Sequence, residues 1–152
     1  MILSIDPGSE QSAWCDFVCG VPRDFGKLPN ADILRILREN HIYGTVLAIE
    51  MISSFGMPVG KEVFETVRWI GRFQEAWEAR GGNVRLVYRR EVKLYLCESA
   101  RANDANIRAA LIDRYGPGKK AAIGLKAAPS PLYGLKGDEW SALAIAITAA
   151  AA

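Results

Sequence analysis

A chain of 152 residues, half of them hydrophobic and 24% charged, with a net charge of +2, is sized for one globular domain whose core needs no disulfide or structural metal. Three cysteines (Cys15, Cys19, Cys97) and one histidine (His41) cannot supply a Cys/His zinc site of the usual spacing, and so sparse a set suits a reducing, cytoplasmic compartment. The opening MILSIDPG has no basic region ahead of an apolar one, and the apolar run 140–152 is too short to span a bilayer, so neither secretion nor a membrane partner is expected.

Residues 1–6 form a short apolar run ending in Asp-Pro-Gly, which reads as a buried strand stopped by a turn. Residues 12–18 predict a second strand and 21–25 a shorter third. Asn30 or Asp32 caps a helix whose Ile33, Leu34, Ile36 and Leu37 make one apolar face. Residues 45–50 (TVLAIE) are continuously apolar up to a final carboxylate, the pattern of a central strand buried on both sides. A loop with Gly56, Pro58 and Gly60 leads to a long helix over 61–80, with Val63, Val67, Ile70, Gln74 and Trp77 along one stripe. Gly81-Gly82 stops it, and residues 84–88 predict a further strand. Residues 91–98 predict a short helix, and Asn103 or Asp104 caps another that ends at Tyr115-Gly116. Residues 116–137 hold five Gly, three Pro and four Lys with no acid, which reads as a long, mobile basic loop. A last helix starts near Asp138. The order predicts a single mixed α/β domain, antiparallel strands first and βα units after.

The small net charge hides an asymmetry. Residues 1–84 carry a net −3, residues 85–136 a net +7 and residues 137–152 a net −2. A basic block of this kind suits phosphate backbones; the plainer alternative is a solvated helix face and a charged loop.

Three acids stand at special places: Asp6 ends the first strand, Glu50 ends the fourth, and Asp138 begins the last helix with Glu139 beside it. If the first and fourth strands are neighbours, Asp6 and Glu50 meet at one sheet edge and the last helix brings Asp138 alongside. Hard divalent cations take oxygen ligands, and two of them about 4 Å apart activate a water and stabilise the leaving oxygen of a phosphodiester. Singly, each acid has a plainer reading. Asp-Pro-Gly is a common turn, and Asp138 or Glu139 is a plausible helix cap. Glu50, at the end of an apolar strand, is harder to place without a partner.

Taken together, these segments resemble RuvC-type Holliday junction resolvases. ILSIDPGS at 2–9 resembles the family's opening, LAIE at 47–50 its second carboxylate strand, and DEWSALAIA at 138–146 its C-terminal signature. YRREVK at 88–93 is similar to the segment that carries a lysine after the fifth strand, and ANDANI at 102–107 to the helix start that follows. The helix with Gly71-Arg72 resembles the long helix of the dimer contact. The resemblance implies an RNase H-like fold: a five-stranded sheet, three antiparallel strands then two parallel, flanked by helices. It also implies a homodimer that cleaves branched DNA with Mg²⁺ or Mn²⁺, two ions per site and no small-molecule cofactor. Asp6, Glu50 and Asp138 then become metal ligands, and Lys93 faces the scissile phosphate or its neighbour, with a plain surface lysine as its alternative. The family's fourth acid falls at Ser141, so that Glu139 substitutes, three carboxylates suffice, or the site binds metal more weakly.

The resemblance further implies an aromatic stacked at the junction. Phe55 is the nearest candidate, with packing into the protein as its alternative. Arg89, Arg90, Lys93, Arg101, Lys119, Lys120 and Lys126 are the main pool of phosphate contacts, with Arg108 and Lys136 beside them. Trp69 and Trp77, about two turns apart, are candidate dimer anchors unless the stripe simply packs on the sheet. Two other functions stay open: an RNase H-like nuclease for structured RNA, and a degenerate module that binds branched DNA without cutting it.

Overall fold

Five strands build the central sheet, in the order β3-β2-β1-β4-β5. The computed structural model describes residues 1–40 and 42–152, so His41 lies outside the described residues. β1 (Ile2–Asp6) pairs antiparallel with β2 (Gln11–Val18), which pairs antiparallel with β3 (Val21–Pro29). The β2–β3 hairpin closes through Cys19 and Gly20, both at positive φ, the backbone that a two-residue turn between twisted strands requires. On its other side β1 pairs parallel with β4 (Val46–Met51), and β4 parallel with β5 (Asn83–Tyr88). Leu47, Ala48 and Ile49 of β4 are fully buried, alternate residues facing opposite cores, as the uninterrupted apolar run predicts.

Helices cover both faces. α1 (Asn30–Glu39) and α2 (Lys61–Glu78) pack Ile33, Leu34, Leu37, Ile70, Phe73 and Trp77 against Ile5, Leu47 and Ile49. On the opposite face lies α6 (Glu139–Ala150), buried along nearly its whole length among α3 (Arg89–Cys97), α4 (Asp104–Tyr115) and the strands. Its alanines let the backbone approach the sheet closely, and the buried hydroxyl of Ser4 on β1 donates to the Ala142 carbonyl at 2.6 Å. Such a helix has no polar face and belongs inside a protein.

The structure revises four expectations. β3 runs on to Pro29 instead of stopping at Phe25; as the sheet's edge strand it tolerates both Gly26 and Pro29. α3 begins at Arg89, because the Glu91 side chain accepts the Tyr88 N–H at 2.7 Å and starts the helix two residues early. Residues 116–137 are not a free loop. They contain α5 (Gly118–Ala122) and a small hairpin of β6 (Gly124–Leu125) and β7 (Ala128–Pro129), pinned by buried Ala122, Leu132 and Leu135. Trp77 is fully buried beneath α2, so it cannot anchor a partner, whereas Trp69 is half-buried under the Arg72 guanidinium.

Candidate active site

Strand register assembles the site. β1 and β4 run parallel with Ile5 opposite Ile49, so the next residues, Asp6 and Glu50, stand side by side where both strands end. Asp6 is paired on its other side with Ala13 of β2, and Ala13 with Lys27 of β3. Paired residues of neighbouring strands point to the same face. Lys27, Ala13, Asp6 and Glu50 therefore form a row across the sheet, on the face that α6 covers.

The row is electrostatically strained. Burial, reinforced by Glu50 and Asp138 and only partly offset by Arg89 and Lys27, pushes the Asp6 carboxyl from 3.8 up to about 7. Burial also raises Glu50, while Arg89 and Lys93 hold it down. Arg89 NH1 lies 3.7 Å from Glu50 Oε2, close enough to attract but not to hydrogen bond, and that oxygen is buried with no hydrogen-bond partner. The same guanidinium binds Asp104 at the start of α4, tying the two helix starts together.

Asp138 sits at the N-cap of α6 but makes no capping hydrogen bond. Its carboxylate points out to Lys27, whose Nζ approaches to 2.6 Å. Its charge is felt at Asp6. Glu139 behaves differently. It is buried, and its Oε2 accepts the Lys136 N–H at 2.9 Å, so its carboxylate serves the helix start. Ser141, on the first turn of α6, lines a groove with Arg89, Asp104, Arg108 and Asp138.

Lys93, one turn into α3, is near enough to bias Glu50. Arg90 is exposed on the first turn of α3. Arg101 lies in the α3–α4 turn, and Lys119, Lys120 and Lys126 lie on α5 and the hairpin tip, all exposed. None of these forms a salt bridge among the described residues, so their charges face solvent. Phe55 does not pack down: it is 80% exposed on the loop after β4, with Met57 75% exposed beside it. Lys27 is the participant that sequence reasoning missed. Its only signal is position, since a third strand extended past Phe25 pairs Lys27 into the row.

The donors fit a hard divalent cation. They are carboxylate oxygens only, one with its ionised form disfavoured by burial and then by like charges, and one buried without a hydrogen-bond partner. Among the described residues no three His, Cys, Asp or Glu side chains group closely enough to hold an ion together. Asp138 is drawn to Lys27 and Glu139 to the Lys136 N–H.

No protein-family model and no curated relative matches the chain by sequence. Solved structures do match. Thermus thermophilus RuvC superposes with a TM-score of 0.65 at 17% identity, over 98% of this chain and 92% of that one. T. thermophilus RuvC in complex with Holliday junction substrate superposes with a TM-score of 0.64 at 19% identity, over the same shares. With the strand order and the flanking helices in place, the chain has the fold of a RuvC-type resolvase.

Proposed function

We propose that this chain is a metal-dependent endonuclease that resolves Holliday junctions or related branched DNA by hydrolysing phosphodiesters. The observation that carries the reading is the Asp6–Glu50 pair at the ends of two adjacent parallel strands, with Asp6 raised to about 7 and Glu50 Oε2 unpartnered. Carboxylates destabilised in this way gain most from a cation, and sites of this kind concentrate where chemistry is done.

Asp6 and Glu50 are the ligands for Mg²⁺ or Mn²⁺, and Asp138 adds charge beside them. A bound divalent ion supplies a polarised water and charge stabilisation for the departing oxygen. Lys93 lies on the site's rim and suits a non-bridging oxygen of the scissile phosphate. Arg89 holds Glu50 towards the row and fixes α3 against α4. The exposed Arg90, Arg101, Lys119, Lys120 and Lys126 offer unpaired charge to the DNA arms. Phe55 and Met57, standing free on the loop after β4, offer an apolar surface to an unstacked base.

Cutting opposed strands of one junction takes two sites, hence a homodimer. The exposed Phe64 and Val67 of α2, with Trp69 beside them, are the contact proposed for it. A second reading, a module that binds branched DNA without cutting, is favoured by Ser141 at the expected fourth acid and by the absence of a three-ligand group among the described residues.

The test is cleavage of a labelled synthetic four-way junction, a Y-fork, a linear duplex and a folded RNA with Mg²⁺, Mn²⁺ or EDTA, for the natural chain, Asp6→Asn and Glu50→Gln. Paired metal-dependent nicks in the junction, absent from both variants, are expected. Tight junction binding without a nick in either metal refutes the enzyme and favours the module. Preferential cutting of a folded RNA refutes the DNA substrate.

A further inference from the structure

The row of side chains across the sheet includes a cation that the resolvase reading does not require. Lys27 stands on β3, two strands from Asp6, with only the methyl of Ala13 between them. That small residue leaves the way open, and Lys27 Nζ reaches Asp138 Oδ2 at 2.6 Å, a full charge-assisted hydrogen bond. Its charge also acts on Asp6. Arg89 is placed otherwise. Its closest partner is Asp104 on α4, outside the row, and it stays 3.7 Å from Glu50 without a hydrogen bond.

The three acids are thus unequally served. Asp6 and Glu50 lack a hydrogen-bonded cation, whereas Asp138 already has one. Any second divalent ion at Asp138 has to displace this ammonium. It gains no further acid in return, because Glu139 is turned to the helix start and Ser141 carries no charge.

We infer that Lys27 takes the place of a second divalent ion, so that the site holds one ion between Asp6 and Glu50 and the Lys27 ammonium, held by Asp138, supplies the other positive charge. The inference rests on the proposed phosphodiester hydrolysis and departs from the two-ion expectation.

The test is Mn²⁺ binding to the full chain, by isothermal titration and electron paramagnetic resonance, alongside junction cleavage. It uses the natural chain, Asp6→Asn, Lys27→Met and Lys27→Arg. Lys27 is 44% exposed, so the substitutions fall at the surface, and circular dichroism checks the fold. The natural chain is expected to bind one Mn²⁺ and Asp6→Asn none. Lys27→Met frees Asp138 and is expected to bind two, with the dependence of cleavage on Mn²⁺ changing from first to second order. Lys27→Arg is expected to keep one. Two ions in the natural chain overturn the inference while leaving the nuclease reading intact. So does a Lys27→Met variant that still binds one ion and cuts at the natural rate. A natural chain that binds no Mn²⁺ overturns the metal site itself, and the inference with it.

Discussion

Replacing Asp6 with Asn is expected to stabilise the protein, and to do so more at high pH than at low. Folding moves the Asp6 carboxyl from 3.8 to about 7. The folded state therefore binds the proton more tightly than the unfolded one. The sign follows: the protonated group costs nothing below about pH 4, stability falls as pH rises from there, and the loss is complete above about pH 7. At 1.36 kcal/mol per unit the full loss is about 4 kcal/mol, of which about 1.5 is already incurred at pH 5. Asn carries no such term, so its advantage over Asp6 is expected to grow by about 2–3 kcal/mol between pH 5 and pH 8. Comparing the two pH values cancels whatever Asn does to packing or hydrogen bonding. The assay is urea unfolding of both proteins at pH 5 and pH 8 without divalent ions, read as midpoint and slope. Adding Mg²⁺ at pH 8 is expected to stabilise the natural chain and not the variant. A difference between the proteins that is the same at both pH values refutes the reasoning, because the row of acids then imposes no charge penalty. So does a variant less stable relative to the natural chain at pH 8 than at pH 5.

Further outcomes are expected elsewhere in the molecule. Thr45 is buried with its hydroxyl unpartnered, so Thr45→Val, nearly the same shape, is expected to stabilise by about 1 kcal/mol in urea unfolding at any pH. A Cβ at Gly82 would lie 2.4 Å from the Trp77 indole, so Gly82→Ala is expected to destabilise by about 2–3 kcal/mol and to perturb the tryptophan emission. Lys93→Ala is expected to slow junction cleavage about 10²-fold while leaving the junction dissociation constant within a few-fold. Replacing Lys119 and Lys120 together with Ala is expected to lower the slope of log binding constant against log salt by about 2, with little effect on cleavage of bound junction.

The carboxylates were legible because each closes a pattern that reads along the chain: an apolar strand that ends in an acid, twice, and a helix that begins with one. What the chain does not display is which neighbours a strand acquires. Lys27 lies in Gly-Lys-Leu-Pro, a stretch with turn composition, and it becomes a strand only because β2 offers Gln11–Trp14 to pair with and because Gly26 leaves room for the Trp14 ring. The hairpin between Gly124 and Pro129 is hidden for a different reason. Two-residue strands and a five-residue helix are too short to show a period, and their stability comes from Leu132 and Leu135 buried against α6 and its neighbours. Trp69 and Trp77 share a helix, yet only the packing of α2 on the sheet separates the buried ring from the half-buried one.

α6 carries a consequence for the chain as it is being made. The helix is apolar on every side, so it gains its stability only from a sheet and flanking helices that are already there to receive it. Asp138 stands at its N-cap, 132 positions after Asp6. A ribosome that has released the first five strands has therefore produced a sheet that carries Asp6, Glu50 and Lys27 but not yet Asp138. Docking of α6 completes the constellation in one event. A chain interrupted before that point lacks the third acid of the proposed site, so truncated products are expected to leave DNA uncut.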